Sequence, residues 1–286
     1  MSKKTPKYKF NSSQNLDFEL TSMPAIYKKS KSKLSLPHRQ EFYGIFYFTN
    51  SYGKYFIDFK EYDIKKGSIF FISNEQIHYF KNIEKTEGNV ILFTNSFLEN
   101  DFLIEQVFEQ NIGNPTLSLN AELLNEIDLL ISQIKSTIIS TKKMKSDILK
   151  KYLEIILLEI VQSKQENLLL QNIYYQRFIQ FKKDLKEHYR EQKSVKFYAD
   201  KQSISPKTLN LAIRKIIDKS AKQFISEYII LLAKRMLINS KYSISEITYD
   251  LGFDEPTNFI KFFKNKEKIT PSVFQKKHKH PLFTLH

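Results

Sequence analysis

Residues 243–264 read Ser243-Ile-Ser-Glu-Ile-Thr-Tyr-Asp-Leu-Gly-Phe-Asp-Glu-Pro256-Thr-Asn-Phe-Ile-Lys-Phe-Phe-Lys264. Ser243 is suited to N-cap a helix, and Glu246 three residues on completes a capping box. Gly252 closes that short helix as a left-handed residue. After a turn, Pro256 opens a new helix at the position where its missing N–H is no loss. The same grammar occurs upstream in Ser194-Val-Lys-Phe-Tyr-Ala-Asp-Lys-Gln-Ser-Ile-Ser-Pro206-Lys-Thr-Leu-Asn-Leu-Ala-Ile-Arg-Lys-Ile217. In both, the second helix turns apolar residues inward and basic or amide side chains outward. Short helix, tight turn, second helix is the helix-turn-helix layout, whose second helix enters the major groove.

A periodic stretch, Ala221 to Asn239, joins the two units. As one helix it would run about 28 Å, against about 34 Å between successive major grooves on one face of B-DNA. A single chain could therefore seat two recognition helices in adjacent grooves. Charge points the same way. The chain has 286 residues with 45 Lys+Arg, 31 Asp+Glu and a formal charge of +14. Residues 171–286 hold 23 basic and 11 acidic residues, a net of +12, and residues 1–170 hold 22 and 20, a net of +2. A polyanion-binding segment explains the asymmetry; a Lys-rich proteome would explain the total alone.

Upstream, the text reads as β from about 24 to 95. Apolar runs at Phe42–Phe48, Tyr55–Phe59, Ile69–Ile72 and Val90–Thr94 are separated by the turn signals Asn50-Ser51-Tyr52-Gly53, Lys65-Lys66-Gly67 and Glu87-Gly88-Asn89. Such spacing predicts an antiparallel sandwich or barrel. The alternation from Ile57 to Ile64 predicts a half-buried strand. Two amphipathic helices follow at 121–140 and 147–162, and a polar stretch near 162–167 reads as a linker. With 41 % apolar residues both halves can build cores. The chain has no cysteine, which removes disulfides, thiolate catalysis and Cys-type metal sites together. No apolar run is long enough to span a membrane. The basic N-terminus never opens into an apolar segment, so a cytoplasmic protein is expected.

The stretch from about 174 to 280 resembles the two-fold helix-turn-helix domain of AraC/XylS-type bacterial transcription regulators. The matching residues are Tyr198-Ala-Asp, Ser203-Ile-Ser-Pro-Lys-Thr-Leu209, Ala233-Lys-Arg-Met-Leu237, Ser243-Ile-Ser-Glu-Ile, Leu251-Gly-Phe253, Phe259, Phe262-Phe-Lys264 and Thr270-Pro-Ser-Val-Phe274. Two residues depart from the pattern. Leu211 stands where the first recognition helix often offers Arg, and Ile213 replaces the usual Phe. The resemblance implies that Lys207, Thr208 and Asn210 face the groove with Arg214 near phosphate. In the second helix it implies Thr257, Asn258, Ile260 and Lys261 at reading positions and Lys264 on the backbone. Taken singly, each could equally be part of a solvated helix face. The tail Lys276-Lys-His-Lys-His280 could add phosphate contacts or simply fray.

The β-rich half resembles the cupin-like sensory domain that precedes this DNA-binding domain in many members. Pro37-His38-Arg-Gln-Glu41 and Gly67-Ser-Ile-Phe-Phe-Ile-Ser73-Asn-Glu-Gln-Ile-His78 sit where the two cupin motifs would fall. Metal cupins offer His-x-His there, and this chain has Gln40 at the second position, so no metal and no cofactor is expected. His38, Phe42, Tyr43, Tyr47, Phe56 and His78 are the expected effector-pocket liners; the same aromatics could instead fill the barrel. No Ser-His-Asp order, phosphate loop or HExxH occurs, so an enzyme is not expected. The competing reading is a cupin-type metalloenzyme with a nucleic-acid-binding appendage.

The expected architecture is therefore α+β in two domains. The first is an N-terminal antiparallel cupin-like β-barrel with trailing helices; the second is all-α, with two helix-turn-helix motifs joined by a long helix. The expected boundaries are a basic flexible arm at 1–20, a sensory and dimerisation domain at 21–165 and a linker at 166–173. The DNA-binding domain follows at 174–286, with helix-turn-helix motifs at 195–217 and 244–267. Expected partners are double-stranded DNA, a small-molecule effector, a second copy through helices 121–140 and 147–162, and RNA polymerase if the protein activates.

Overall fold

A computed structural model describes residues 5–11, 16–74, 76–109, 115–141, 143–166, 173–238 and 242–279, without the side chains of 32, 109, 164–166 and 279. Most of the expected linker 166–173, parts of the expected arm 1–20, and His280 lie outside the described residues. The chain forms two compact units, one spanning Pro6–Asn167 and the other holding Leu168–His286.

The first unit contains strands β1 (Lys7–Tyr8), β2 (Phe18–Ser22), β3 (Arg39–Gln40), β4 (Tyr43–Phe48), β5 (Lys54–Ile57), β6 (Lys60–Asp63), β7 (Ser68–Ile72), β8 (His78–Lys81), β9 (Gly88–Phe93) and β10 (Thr116–Ser118). Its helices are α1 (Met23–Leu34), the single turns α2 (Asn95–Leu98) and α3 (Asp101–Ile104), and the long α4 (Ala121–Ile139) and α5 (Lys145–Glu166). An antiparallel five-stranded sheet runs β10-β7-β4-β9-β2, and a three-stranded one runs β6-β5-β8. Between them lies a core of Phe46, Phe48, Tyr55, Phe70, Phe80 and their neighbours.

The expected barrel does not close. Among the described residues no ladder joins the two larger sheets. Side chains as large as Phe and Tyr hold them apart at sheet-stacking distance, about 10 Å, where strands cannot hydrogen-bond. The β-unit is an open sandwich. Part of the arm expected to be flexible is also ordered, because β1 pairs in parallel with β3.

Strand parity sets the third layer. On β4, Phe46 and Phe48 point into the sandwich, whereas Tyr43, Ile45 and Tyr47 point to the other face. There α4 and α5 cover the sheet with Ile127, Ile131, Ile134, Leu149, Leu153 and Ile156. The strand expected from Ile57 to Ile64 is broken. Asp58 and Phe59 both take positive φ, 45° and 71°, in the two-residue connection between β5 and β6. Asp58 holds this corner by accepting from Gln76 Nε2 at 3.0 Å and from the Ile77 amide at 3.3 Å. That long-range anchoring is invisible to a period-two reading.

The second unit is helical: α6 (Ile173–His188), α7 (Val195–Lys201), α8 (Pro206–Ile217), α9 (Ala221–Ile238), α10 (Ile244–Asp250), α11 (Pro256–Glu267) and α12 (Pro271–Lys279). Phe178, Phe181, Leu185, Tyr198, Leu209, Ile213, Ile225 and Ile229 form one core, with Phe253 and Phe262 packed against it. None of the described helices is long and apolar enough to cross a membrane.

Candidate nucleic-acid interface

Both recognition elements are built from local capping chemistry. Ser194 caps α7 by accepting from the Phe197 amide, and Ser205 caps α8 by accepting from the Thr208 amide. Ser243 and Glu246 form the complete capping box of α10. Pro206 and Pro256 open α8 and α11. Aligning these prolines sets the two helices in register: Lys207 matches Thr257, Thr208 matches Asn258, Asn210 matches Ile260, Leu211 matches Lys261 and Arg214 matches Lys264. Leu209 and Phe259 are the matching buried anchors.

On α11, Thr257, Asn258, Lys261 and Lys264 are exposed, while Ile260 is half-buried. The stripe Thr257, Lys261, Lys264 has the four-and-three spacing of one helix face. On α8 the corresponding stripe is Lys207, Leu211 and Arg214, all exposed, with Lys215 exposed beside it. The expected reader Asn210 is not free. Its Nδ2 donates to the Pro206 carbonyl at 3.0 Å, and its Oδ1 accepts from the Ala221 amide at 2.9 Å. The side chain satisfies one of the orphan amides that start α9. Thr208 is half-buried, and its hydroxyl shares a 2.8 Å hydrogen bond with Ser205. Leu211 and Lys215 take the outward positions instead. Helical spacing from Lys207 could have found both.

Within the helical unit, the turn of the second helix-turn-helix is locked to the segment that follows α6. Gly252 has φ +68°, and a Cβ there would overlap the Arg190 carbonyl. The Arg190 guanidinium donates to the Asp250 carbonyl at 3.0 Å and to its carboxylate at 3.1 Å. The Lys193 ammonium donates to the carbonyls of Gly252 and Arg190 and lies 4.8 Å over the Phe253 ring. Burial lowers the pKa of this lysine. Farther along, Lys234 of α9 pairs with Glu267 of α11 at 2.6 Å.

In the β-unit the six expected pocket residues do not converge. His38 and His78 meet, with ring centroids 4.2 Å apart and mutual backbone hydrogen bonds of 3.1 and 2.9 Å. They are 4 % and 1 % exposed. His38 Nδ1 lies 2.8 Å from the Leu36 carbonyl, and the Tyr55 hydroxyl lies 3.0 Å from His78 Nδ1, while His78 Nε2 is buried without a hydrogen-bond partner. Burial pushes the His38 pKa down to about 4 and holds that of His78 well below the usual range. Tyr43 and Tyr47 lie on the helix-covered face of β4. Phe42 packs against Phe10, and Phe56 stacks on Tyr79 beneath Lys81. Strand parity separates them, since Phe56 lies between the inward-facing Tyr55 and Ile57. Of the motif carboxylates, Glu41 is exposed and paired with Lys7 at 3.1 Å. Gln40 is buried and donates to the Phe42 carbonyl. Among the described residues, no group of three His, Cys, Asp or Glu is placed to hold a metal ion.

Two family models match this chain, an AraC-like ligand binding domain over residues 32–151 and a helix-turn-helix domain over residues 198–277. With both domains matched in this order, the chain belongs to the AraC/XylS-type regulators. Over 88 residues it is 32 % identical to "Histidine kinase P4" of Formosa agariphila, a match spanning 31 % of this chain and only 6 % of that protein. Among solved structures, ToxT of Vibrio cholerae with a bound unsaturated fatty acid is similar at 15 % identity and TM-score 0.43, covering 90 % of this chain and 94 % of that one. The DNA-binding domain of AdpA in complex with a target DNA is similar at 25 % identity and TM-score 0.30, covering 32 % and 84 %.

Proposed function

We propose that this chain is a sequence-specific DNA-binding transcription regulator whose helices α8 and α11 enter two adjacent major grooves. The observation that carries this reading is the repeated arrangement itself. Two proline-opened helices expose matching stripes on a strongly basic unit, and the Arg190–Gly252 contact ties the segment after α6 to the turn before α11. On α11, Thr257, Asn258 and Lys261 address base edges, where Lys suits guanine acceptors and Asn suits adenine. Lys264, Arg214 and Lys207 contact phosphate or the groove edge. Ile260 and Thr208 pack at the rim, and Asn210 supports α9 rather than reading a base.

Residues 174–286 serve as the DNA-binding domain, and residues 21–165 as a sensory domain answering a small-molecule effector. The His38–His78 pair is the polar handle of that domain. Ile155 and Leu158, 41 % and 51 % exposed on α5, supply an apolar face for a second copy. The protein works in the cytoplasm, and as an activator it would meet RNA polymerase. The metalloenzyme alternative is disfavoured because Glu41 is engaged by Lys7 and Gln40 by backbone.

The deciding experiment selects genomic fragments with the purified full chain at about 150 mM salt, where a Debye length near 8 Å screens loose association. Enrichment of a few promoter fragments sharing a two-part site, with affinity falling steeply as salt rises, is expected. Equal recovery of all fragments would overturn the reading. A solution mass equal to one chain at micromolar concentration would remove the dimer.

A further inference from the structure

We propose that Leu211 is a specificity residue of the first recognition helix and that it reads the 5-methyl group of a thymine. The inference rests on the DNA-binding reading above and narrows it to one chemical group. Leu211 is 45 % exposed at the middle of α8, one turn from Lys207 on one side and from Arg214 on the other. Those two cations can hold the helix in the groove.

Lys215 lies exposed one turn beyond Leu211, and the two uncharged polar side chains between Lys207 and Leu211 already make hydrogen bonds within the protein. Both polar groups of Asn210 are engaged by Pro206 and Ala221, and the Thr208 hydroxyl is engaged by Ser205. The register set by Pro206 and Pro256 places Leu211 where α11 carries Lys261, an outward reading position. A leucine there has no donor or acceptor, so it cannot discriminate by hydrogen bonds. Within the major groove the apolar group on a base edge is the thymine methyl. Burying that methyl against Leu211 removes apolar surface of both from water. A cytosine or purine at the same position would instead leave polar edge atoms facing hydrocarbon.

The test uses the full chain and the tightest duplex from fragment selection. Each thymine in the half-site assigned to α8 is replaced in turn by deoxyuridine, which removes the methyl and keeps the base pair. At one position, affinity should fall about fourfold, the equivalent of one buried methyl group. With Leu211→Ala the same substitution should have no effect, while sensitivity in the α11 half-site persists. Leu211→Arg should shift the preference at that position towards guanine. A folded Leu211→Ala protein that keeps the full deoxyuridine effect would overturn the inference, and so would a duplex with no deoxyuridine-sensitive position in this half-site. Binding without any sequence preference would instead overturn the DNA-reading proposal itself, and this inference with it.

Discussion

The Arg190 carbonyl oxygen occupies the place where a side chain on Gly252 would begin. Arg190 follows α6, and Gly252 lies in the turn between α10 and α11, so this contact joins the scaffold of the first helix-turn-helix to the turn of the second. The salt bridge from Arg190 to Asp250 and the Lys193 ammonium between the Arg190 and Gly252 carbonyls close around it. Glycine at 252 is thus required twice, by its φ of +68° and by the backbone approach.

Gly252→Ala should therefore cost more than a left-handed alanine alone. The conformational strain is about 1–2 kcal/mol, and the overlap with rigid backbone adds about 1–3 kcal/mol. A loss of about 2–5 kcal/mol should appear in the urea unfolding of the helical unit within the full chain. A shift below about 1 kcal/mol would mean that Arg190 moves aside easily.

Asn210→Ala should lower stability by about 1 kcal/mol, because the Ala221 amide loses its acceptor at the start of α9. The effect on DNA should be a weakening common to all sequences, with unchanged base preference. Binding measured across single-base variants of the selected site distinguishes this from the loss of a reader.

Lys261→Ala and Lys264→Ala should separate base reading from backbone holding. Lys261→Ala should relax discrimination by about 1–3 kcal/mol at one base pair. Lys264→Ala should weaken all sequences alike and reduce the salt dependence of binding by about one phosphate contact. Titrations at several salt concentrations read both quantities.

The buried histidines make the β-unit acid-sensitive. Their folded-state pKa values are depressed, to about 4 for His38, against an ordinary value near 6.5. The unfolded chain therefore binds protons that the folded one refuses, so stability is flat above about pH 6.5 and falls as pH drops towards 4. For His38 the loss is of order 3 kcal/mol across that window. His38→Gln should flatten this part of the decline when urea midpoints are compared from about pH 7 to about pH 4.5. Parallel curves for the two proteins would count against it.

What could be read from the sequence was whatever is encoded within a few residues. The capping serines at 194 and 243, the opening prolines at 206 and 256, the left-handed Gly252 and the apolar residues Leu209 and Phe259 all act locally. The two recognition helices were therefore legible, as were the strands about Phe46, Phe70 and Ile91. Long-range partners were not. Asn210 looks like a base reader until α9 brings the Ala221 amide to its carboxamide oxygen, which leaves Leu211 on the outer face. Asp58 looks like one residue of an alternating strand until the Ile77 amide fixes it in a turn. Tyr43, Tyr47 and Phe56 look like the wall of one pocket, but strand parity and sheet stacking send them to different faces. Local capping and periodicity decide where an element starts and which side is apolar. Only the tertiary structure decides which polar atoms are already satisfied, and so which side chains remain free to meet DNA.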